Sequence, residues 1–329
     1  MFFSIVIPCP KITIGLEKET VPAILKQGDN LEIIIVPDQK TSKKFSKTKI
    51  LPLAGSPAQK RNYGLKQARG EIVVFIDDDA YPGLGWLENI KKNFNKDPNI
   101  VGVGGPGLTP PHDPFLAKTS GWFWASPLGS GGAGQYRNWP QKKRNVDDYP
   151  TFNLAVRKEA LNKIGGFSCQ LWPGEDTKLC LDLVYQLGKK IVYDPASVVF
   201  HHRRKVFLPR VKQLGRYGYH RGLFAKLFPQ TSKKPGYFLP ALFALGLLLG
   251  PLTYFFFFSF GLITLANFLK NLLLIGFALY LFLLLLNSLW VLAKSKNIAI
   301  AFLLLITVPI SHIYYGIMFI AGLFRYLKD

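Results

Sequence analysis

Cysteine is scarce in this chain of 329 residues, which contains only Cys9, Cys169 and Cys180. An odd number of cysteines without metal-site spacing argues against a disulfide framework, and it is compatible with a reducing cytosol. The amino terminus also lacks the apolar core of a cleavable signal peptide, because Met1–Pro8 is too short for one. We therefore interpret this first stretch as a strand.

Acidic residues are few as well. The chain has 20 Asp and Glu against 41 Lys and Arg, a formal net charge of +21. Such an excess of positive charge indicates an anionic partner. Three classes qualify: nucleic acid, anionic lipid headgroups and phosphorylated substrates. A basic nucleic-acid binder is the less favoured class, because no motif of that kind is recognisable. A membrane tail favours the other two classes, so we expect membrane lipids as partners and no nucleic acid.

The tail is residues 237–329, where Leu, Phe, Ile and Ala dominate and charges are rare. Apolar runs of about 20 residues or more are membrane spans rather than core helices. The spans are expected at roughly Tyr237–Thr264, Asn271–Ala293 and Ile298–Phe324. Gly250-Pro251 could kink the first run or split it into a hairpin, and we favour three spans over four.

Residues 206–236 form a separate basic segment before the tail. Arg210, Arg216 and Arg221 lie there among apolar residues. This pattern is typical of an amphipathic helix in the membrane interface, and its glycines predict an interrupted helix. Dense positive charge before the first span places the preceding domain on the cytoplasmic side. The plasma membrane of a prokaryote is the expected location.

Residues 1–205 alternate strands with helices, which predicts an α/β fold with a mostly parallel sheet. The expected strands are Phe2–Ile7, Leu31–Val36, Ile50–Leu53, Ile72–Ile76, Asn99–Val103 and Ile191–Tyr193. Helices are expected near residues 18–27, 57–68, 84–94 and 175–187. The Gly- and Pro-rich stretch 104–150 is too long for a simple connection, so we expect a functional or partly ordered loop.

Three consecutive aspartates, Asp77, Asp78 and Asp79, follow the apolar run Ile72–Ile76. Open α/β sheets bind ligands at the carboxyl ends of such strands. Clustered carboxylates repel one another and need a cation, and hard oxygen ligands suit Mg²⁺ or Mn²⁺. A metal held in this way can bind a diphosphate. The alternative interpretation is an acidic surface turn.

The chain resembles family 2 glycosyltransferases, which have the GT-A fold, over about its first 230 residues. Four ordered motifs carry the resemblance: SIVIPCP, GSPAQKRNYGLKQARGEIVVFIDDDAYP, NLAVRKEALNKIGGF and GEDTKLCLDLVYQLGKKIVYDPASVVFHH. Each motif alone is weak, and their order and spacing make them specific together. The resemblance implies a metal-dependent transferase that inverts the sugar's anomeric centre and uses a nucleotide-sugar donor.

The resemblance also implies donor-site roles for individual residues. Pro8 and Asp38 match positions that bind the nucleotide base, and Arg61 matches an arginine beside the nucleotide. Asp77 and Asp79 match the DxD pair, with Asp79 the better candidate for direct metal contact. Asp78, which lies between them, is included among the nucleotide-binding residues. A turn-forming Asp38 and a solvated Arg61 are the alternatives.

Acceptor-side roles follow in the same way. Asp176 matches the general base, with Glu175 beside it, although an aspartate at a helix start is also an ordinary N-cap. His201 matches a histidine near the active site that could bind the metal, or could serve a structural or phosphate-facing role. Arg216 is expected to meet a diphosphate, or alternatively anionic lipid.

Two departures from the family pattern stand out. Pro37 replaces the first of two acids at the end of the second strand. Tyr217 replaces the tryptophan of the Gln-x-x-Arg-Trp motif found in processive members, which leaves the number of sugars added open. The expected acceptor is lipid-linked or a cell-envelope glycan. The alternative function is an inactive nucleotide-sugar-binding membrane protein that acts as a regulator or scaffold.

Overall fold

A computed structural model describes residues 1–131, 134–171 and 173–325. The chain divides into two compact units. The first contains Met1–Pro111 and Tyr136–His202, and the second contains His112–Gln135 and the chain from Arg203 onward. The last four residues of the predicted membrane region, 326–329, lie outside the described part.

An eight-stranded sheet forms the centre of the first unit, in the order β3-β2-β1-β4-β9-β6-β10-β8. Its strands are β1 (Phe3–Pro8), β2 (Leu31–Val36), β3 (Thr48–Ile50), β4 (Ile72–Ile76), β6 (Ile100–Gly104), β8 (Arg144–Val146), β9 (Asn153–Arg157) and β10 (Lys190–Tyr193). The pairs that β1 forms with β2 and β4 are parallel, whereas β9 runs antiparallel between β4 and β6. The predicted mostly parallel α/β sheet is confirmed.

A second sheet of three short strands has the order β5-β11-β7. These strands are β5 (Ala80–Pro82), β7 (Gly107–Leu108) and β11 (Val199–His201). β5 begins one residue after Asp79, and its antiparallel pairing with β11 places Ala80 opposite His201. The sheet therefore brings the end of β11 to the acidic turn after β4.

Helices cover the large sheet of the first unit. The α-helices are α1 (Val21–Leu25), α2 (Pro57–Gln67), α3 (Trp86–Lys96), α5 (Lys158–Lys163) and α6 (Glu175–Leu181). π-helical turns, Leu16–Thr20 and Asp182–Gln186, precede α1 and follow α6. Every residue of β4 is fully buried, since its alternate side chains enter apolar clusters on the two faces of the sheet.

The sequence predicts the third strand at Ile50–Leu53, and these bounds are wrong. β3 is Thr48–Ile50, which pairs with Ile33–Ile35. The Leu51 and Leu53 N–H groups still donate to the Ile35 and Pro37 carbonyl oxygens, but Pro37 has no N–H with which to continue the ladder. Proline therefore ends the strand where the apolar pattern alone suggests that it begins.

The stretch 104–150 is more ordered than predicted. Besides β7 and β8 it contains the helix α4 (Phe115–Ala125), and its central part, 112–135, belongs to the second unit rather than to the predicted 1–205 domain. Apolar contacts explain this assignment, because Phe123 packs in a cluster with residues of the membrane-type helices. The Leu128 N–H donates to Asn287 Oδ1 at 2.9 Å, which anchors the turn after α4.

The helices of the second unit after α4 are α7 (Leu208–Leu227), α8 (Pro229–Ser232), α9 (Pro235–Ser259), α10 (Ile263–Ser295) and α11 (Ile298–Leu323). Among the described residues, α9, α10 and α11 are long and apolar enough to cross a membrane. This confirms three spans. α9 continues through Pro251, and the chain turns at Gly261 instead, which has a φ of 71°.

α7 is a single helix, so the prediction of an interrupted helix is wrong. Its Gly215, Gly218 and Gly222 face α11, where a Cβ on Gly222 would overlap the Phe319 carbonyl oxygen. Gly322 of α11 approaches the backbone of Tyr219 in the same way. These glycines therefore allow close helix packing, as small residues do between membrane helices, rather than breaking α7.

Arg210 is fully buried where α7, α4 and α11 meet. Its Nη2 donates to Ser311 Oγ at 2.8 Å and to the Thr307 carbonyl oxygen at 3.3 Å. The guanidinium lies 3.9 Å from the centroid of the Phe123 ring. Arg210 thus links the three helices through polar and cation–π contacts, without a carboxylate partner among the described residues.

Candidate active site

Three parallel strands bring most of the predicted residues to one edge of the large sheet. β1 lies between β2 and β4, so the carboxyl ends of these strands are adjacent. Pro8 is the buried last residue of β1, Asp38 follows β2, and Asp77 follows β4. This is the edge at which open α/β sheets bind their ligands.

Helix α2 supplies basic residues to this edge. Ser56 caps the helix by accepting from the Gln59 N–H, and the Gln59 side chain accepts from the Ser56 N–H in return. This start orients Lys60 and Arg61 inward, where they are only 4% and 5% exposed. The solvated alternative for Arg61 is therefore excluded.

Arg61 joins two acidic segments that are far apart in sequence. Its Nη1 donates to Glu175 Oε1 at 2.7 Å, and its Nη2 donates to Asp77 Oδ1 at 3.1 Å. The guanidinium also lies 5.7 Å from the centroid of the Phe167 ring. A buried arginine between two carboxylates orients both of them, so the start of α6 is held beside the acidic turn after β4.

Lys60 holds the carboxylate at the end of β2. Its Nζ donates to Asp38 Oδ1 at 2.6 Å and to the Cys9 carbonyl oxygen at 2.6 Å. The hydrogen bond from Lys60 lowers the pKa of Asp38, which remains partly exposed. Asp38 is thus an ionised acceptor whose exposed part is available to an N–H donor.

Asp79 and His201 form a pair at the junction of β5 and β11. His201 Nε2 lies 3.0 Å from Asp79 Oδ1, and the His202 N–H donates to the Asp79 carbonyl oxygen at 3.0 Å. Possible ligand atoms of Asp77, Asp79 and His201 all lie within 4.8 Å of one another. Two ligands at right angles, each about 2.1 Å from a metal ion, are about 3 Å apart, so the separation of Asp79 and His201 fits Mg²⁺ or Mn²⁺.

Asp78 points into a less polar environment than its neighbours. Burial raises the pKa of Asp78 to about 7, and the charges of Asp79 and Asp77 add to this effect. The carboxyl group therefore takes up a proton close to neutral pH. Added positive charge, such as a divalent ion on Asp77 and Asp79, would oppose this protonation.

Asp176 and Glu175 open helix α6 after Gly174, whose φ is 123°. Asp176 Oδ1 accepts from the Thr177 N–H at 2.8 Å. Burial raises the pKa of Asp176 to about 7, with further contributions from the charges of Glu175 and Asp148. A carboxylate with this proton affinity is suited to general base catalysis near neutral pH. Glu175 is already bound to Arg61 and to the Gly174 N–H, which favours an orienting role for it.

One predicted site residue, Arg216, belongs to the second unit, where its side chain is exposed on α7. Its neighbour Tyr217 accepts from Gln213 Nε2 at 2.9 Å. The diphosphate contact predicted for Arg216 therefore stays a prediction.

Sequence reasoning missed three polar residues of the first unit. Lys60 is one, and Asn62 is another, since it bonds to both the N–H and the carbonyl oxygen of Phe167 at 2.8 Å. Asp148 is the third, and it is 3% exposed. Lys60 could have been found from the sequence, because it lies four residues before Gly64 on α2 and therefore shares its buried face. No feature of the neighbouring sequence distinguishes Asp148.

Comparisons with known proteins relate this chain to glycosyltransferases. Residues 4–165 match the family model described as Glycosyl transferase family 2. A pre-mycofactocin glycosyltransferase from Mycobacterium tuberculosis is 28% identical over 170 residues, which are 51% of this chain and 34% of that protein. A glucosyl-dolichyl phosphate glucuronosyltransferase from Haloferax volcanii is 23% identical over 185 residues, 52% of this chain and 56% of that protein.

The matches are thus partial, and the chain spans about a third of the first relative's length and about half of the second's. Among solved structures, that of GalNAc-T7 with UDP, GalNAc and Mn²⁺ aligns with a TM-score of 0.48 at 16% identity. The alignment covers 72% of this chain and 52% of that one.

Proposed function

Because residues 4–165 form a domain of glycosyltransferase family 2, we propose that this protein is a membrane-anchored, metal-dependent, inverting glycosyltransferase. It would move a sugar from a nucleotide-sugar donor to the hydroxyl of a lipid-linked or cell-envelope acceptor. The observation that supports this most strongly is the cluster of Asp77, Asp79 and His201, which Arg61 links to the helix start of Asp176.

Donor binding would use the edge formed by β1, β2 and β4. Asp38 is an ionised acceptor, so it can bind the N–H of a nucleotide base beside Pro8. Asp77, Asp79 and His201 would hold a divalent cation, which supplies positive charge for the diphosphate. Arg61 keeps Asp77 oriented toward that position.

Sugar transfer would be a single displacement. Asp176 accepts the proton of the acceptor hydroxyl while the acceptor oxygen forms a bond to the anomeric carbon. The bond between that carbon and the diphosphate oxygen breaks on the opposite face, and the diphosphate leaves with the electron pair. Attack from the face opposite the leaving group inverts the anomeric centre.

The acceptor is proposed to be lipid-linked because the catalytic unit continues directly into helices that could cross a membrane. The Haloferax relative's name includes a dolichyl phosphate, which is a lipid of this kind. Basic residues before α9, such as Arg216 and Lys226, are exposed and suit anionic headgroups. Their density supports a catalytic unit on the cytoplasmic side, with the plasma membrane of a prokaryote as the proposed location.

A donor screen tests the proposed function. The purified full chain in detergent is mixed with Mn²⁺ and individual UDP-, GDP- and dTDP-sugars, and thermal unfolding and nucleoside diphosphate release are measured. We expect at least one donor to raise the melting temperature and to be turned over only with metal. Transfer to polyprenyl phosphate in phosphatidylglycerol vesicles is then measured with that donor. No stabilisation and no release with any donor would contradict the proposal.

Arg216→Lys distinguishes a phosphate ligand from a lipid anchor. Lysine keeps the charge but loses the bidentate geometry with which guanidinium binds phosphate oxygens. We expect transfer to fall sharply while membrane association is unchanged, and Lys226→Arg serves as the matched control on the same helix. Near-normal transfer by Arg216→Lys would limit Arg216 to anchoring.

A further inference from the structure

A buried acid lies directly against the first turn of α6. Asp148 Oδ1 accepts from Thr177 Oγ1 at 3.0 Å, and Thr177 is the residue whose N–H bonds to Asp176. Asp148 and Thr177 are 3% and 2% exposed. Thr177 is therefore a single buried residue that hydrogen-bonds to both Asp148 and Asp176.

Each acid that flanks Asp176 has its own arginine. Glu175 pairs with Arg61, and Asp148 Oδ2 accepts from Arg137 Nη2 at 3.1 Å. The same Nη2 donates to the Asp148 carbonyl oxygen at 2.7 Å. Within the described ranges, no cation lies at salt-bridge distance from Asp176 itself. Asp176 thus feels the charges of both acids and has no ion-pair partner among the described residues.

We propose that Asp148 is a positioning residue for the proposed base. It fixes the first turn of α6 through Thr177 and places a buried negative charge close to Asp176. This inference rests on the proposed function, in which Asp176 removes the acceptor's proton.

The charges around Asp176 determine the direction of the effect. Glu175 and Asp148 favour its protonated form, whereas Arg61 and the Thr177 N–H favour the carboxylate. Cys180, one turn later on α6, adds no charge, because burial and then the charge of Asp148 raise the pKa of its thiol. Removing the charge of Asp148 therefore lowers the pKa of Asp176.

Two variants of the full chain test this arrangement through the pH dependence of transfer kcat/KM. Asp148→Asn is expected to move the acidic limb to lower pH. A half-unit shift changes the ratio of activity at pH 6 to activity at pH 8 by about threefold. Asp147→Asn is the matched control, since this neighbouring acid bonds to Tyr185 OH instead, and its acidic limb should not move.

The direction of the shift separates this role from simple loss of folding. Stabilisation by the donor identified in the screen shows that each variant is folded. If Asp148→Asn retains transfer, an acidic limb that does not move, or that moves to higher pH, would overturn the role of Asp148. If the unmodified protein transfers no sugar from any donor, the proposed function itself fails.

Discussion

Replacing Asp176 with asparagine is expected to lower sugar transfer by a factor on the order of 10² or more while donor binding persists. Asparagine keeps the volume of aspartate, and its carbonyl oxygen can still accept from the Thr177 N–H, so the helix start is preserved. Only the ability to take up the acceptor's proton is lost. Transfer rates at saturating donor, together with donor-induced thermal stabilisation, give the two required measurements.

The product of this reaction carries separate information about the mechanism. A single displacement gives a product whose anomeric configuration is opposite to that of the donor, which NMR of the product measures directly. Retention of configuration would rule out the single displacement, and near-normal transfer by Asp176→Asn would rule out its role as the base. The two tests are therefore independent.

Asp79→Ala is expected to abolish turnover and metal-dependent donor binding while the fold remains intact. The substitution removes the carboxylate that lies 3.0 Å from His201 Nε2 and leaves Asp77 as the remaining carboxylate of the cluster. Its side chain is more than half exposed, so its loss creates no buried cavity. Excess EDTA should have the same effect on the unmodified protein.

The control for this variant is Asp29→Ala, which removes an exposed aspartate of the same unit that pairs with Lys47. Its turnover and donor binding should match those of the unmodified protein. Unchanged activity of the unmodified protein in EDTA would show that transfer needs no divalent cation.

Helices and strands that are specified by residues adjacent in sequence could be predicted from the sequence. β4 was predicted because five consecutive apolar residues end at charge. α2 was predicted because Ser56 and Pro57 mark a helix start. Such signals depend on neighbours in sequence, so they are readable without tertiary contacts. The four ordered motifs also predicted the family and the GT-A fold, through their resemblance to family 2 glycosyltransferases.

Features that depend on contacts between segments far apart in sequence could not be predicted. Gly215 and Gly218 look like helix breakers until α11 is known to pack against them. Phe123 looks like part of a loop until it is seen packed against the membrane-type helices and Arg210. In the site, the acidic turn was predicted from its charge density, whereas the partners of Arg61 lie 16 and 114 residues away in sequence.

The glycine contacts between α7 and α11 also order events during synthesis. Gly222 leaves the ribosome about a hundred residues before Phe319, so its partner does not yet exist when α7 first forms. Since translation adds about 5–20 residues each second, the glycine face of α7 stays without its α11 partner for several seconds at least. α11 therefore completes the packing of α7, although it is made about a hundred residues later. A chain that stops before α11 would leave that face for chaperones and proteases to recognise.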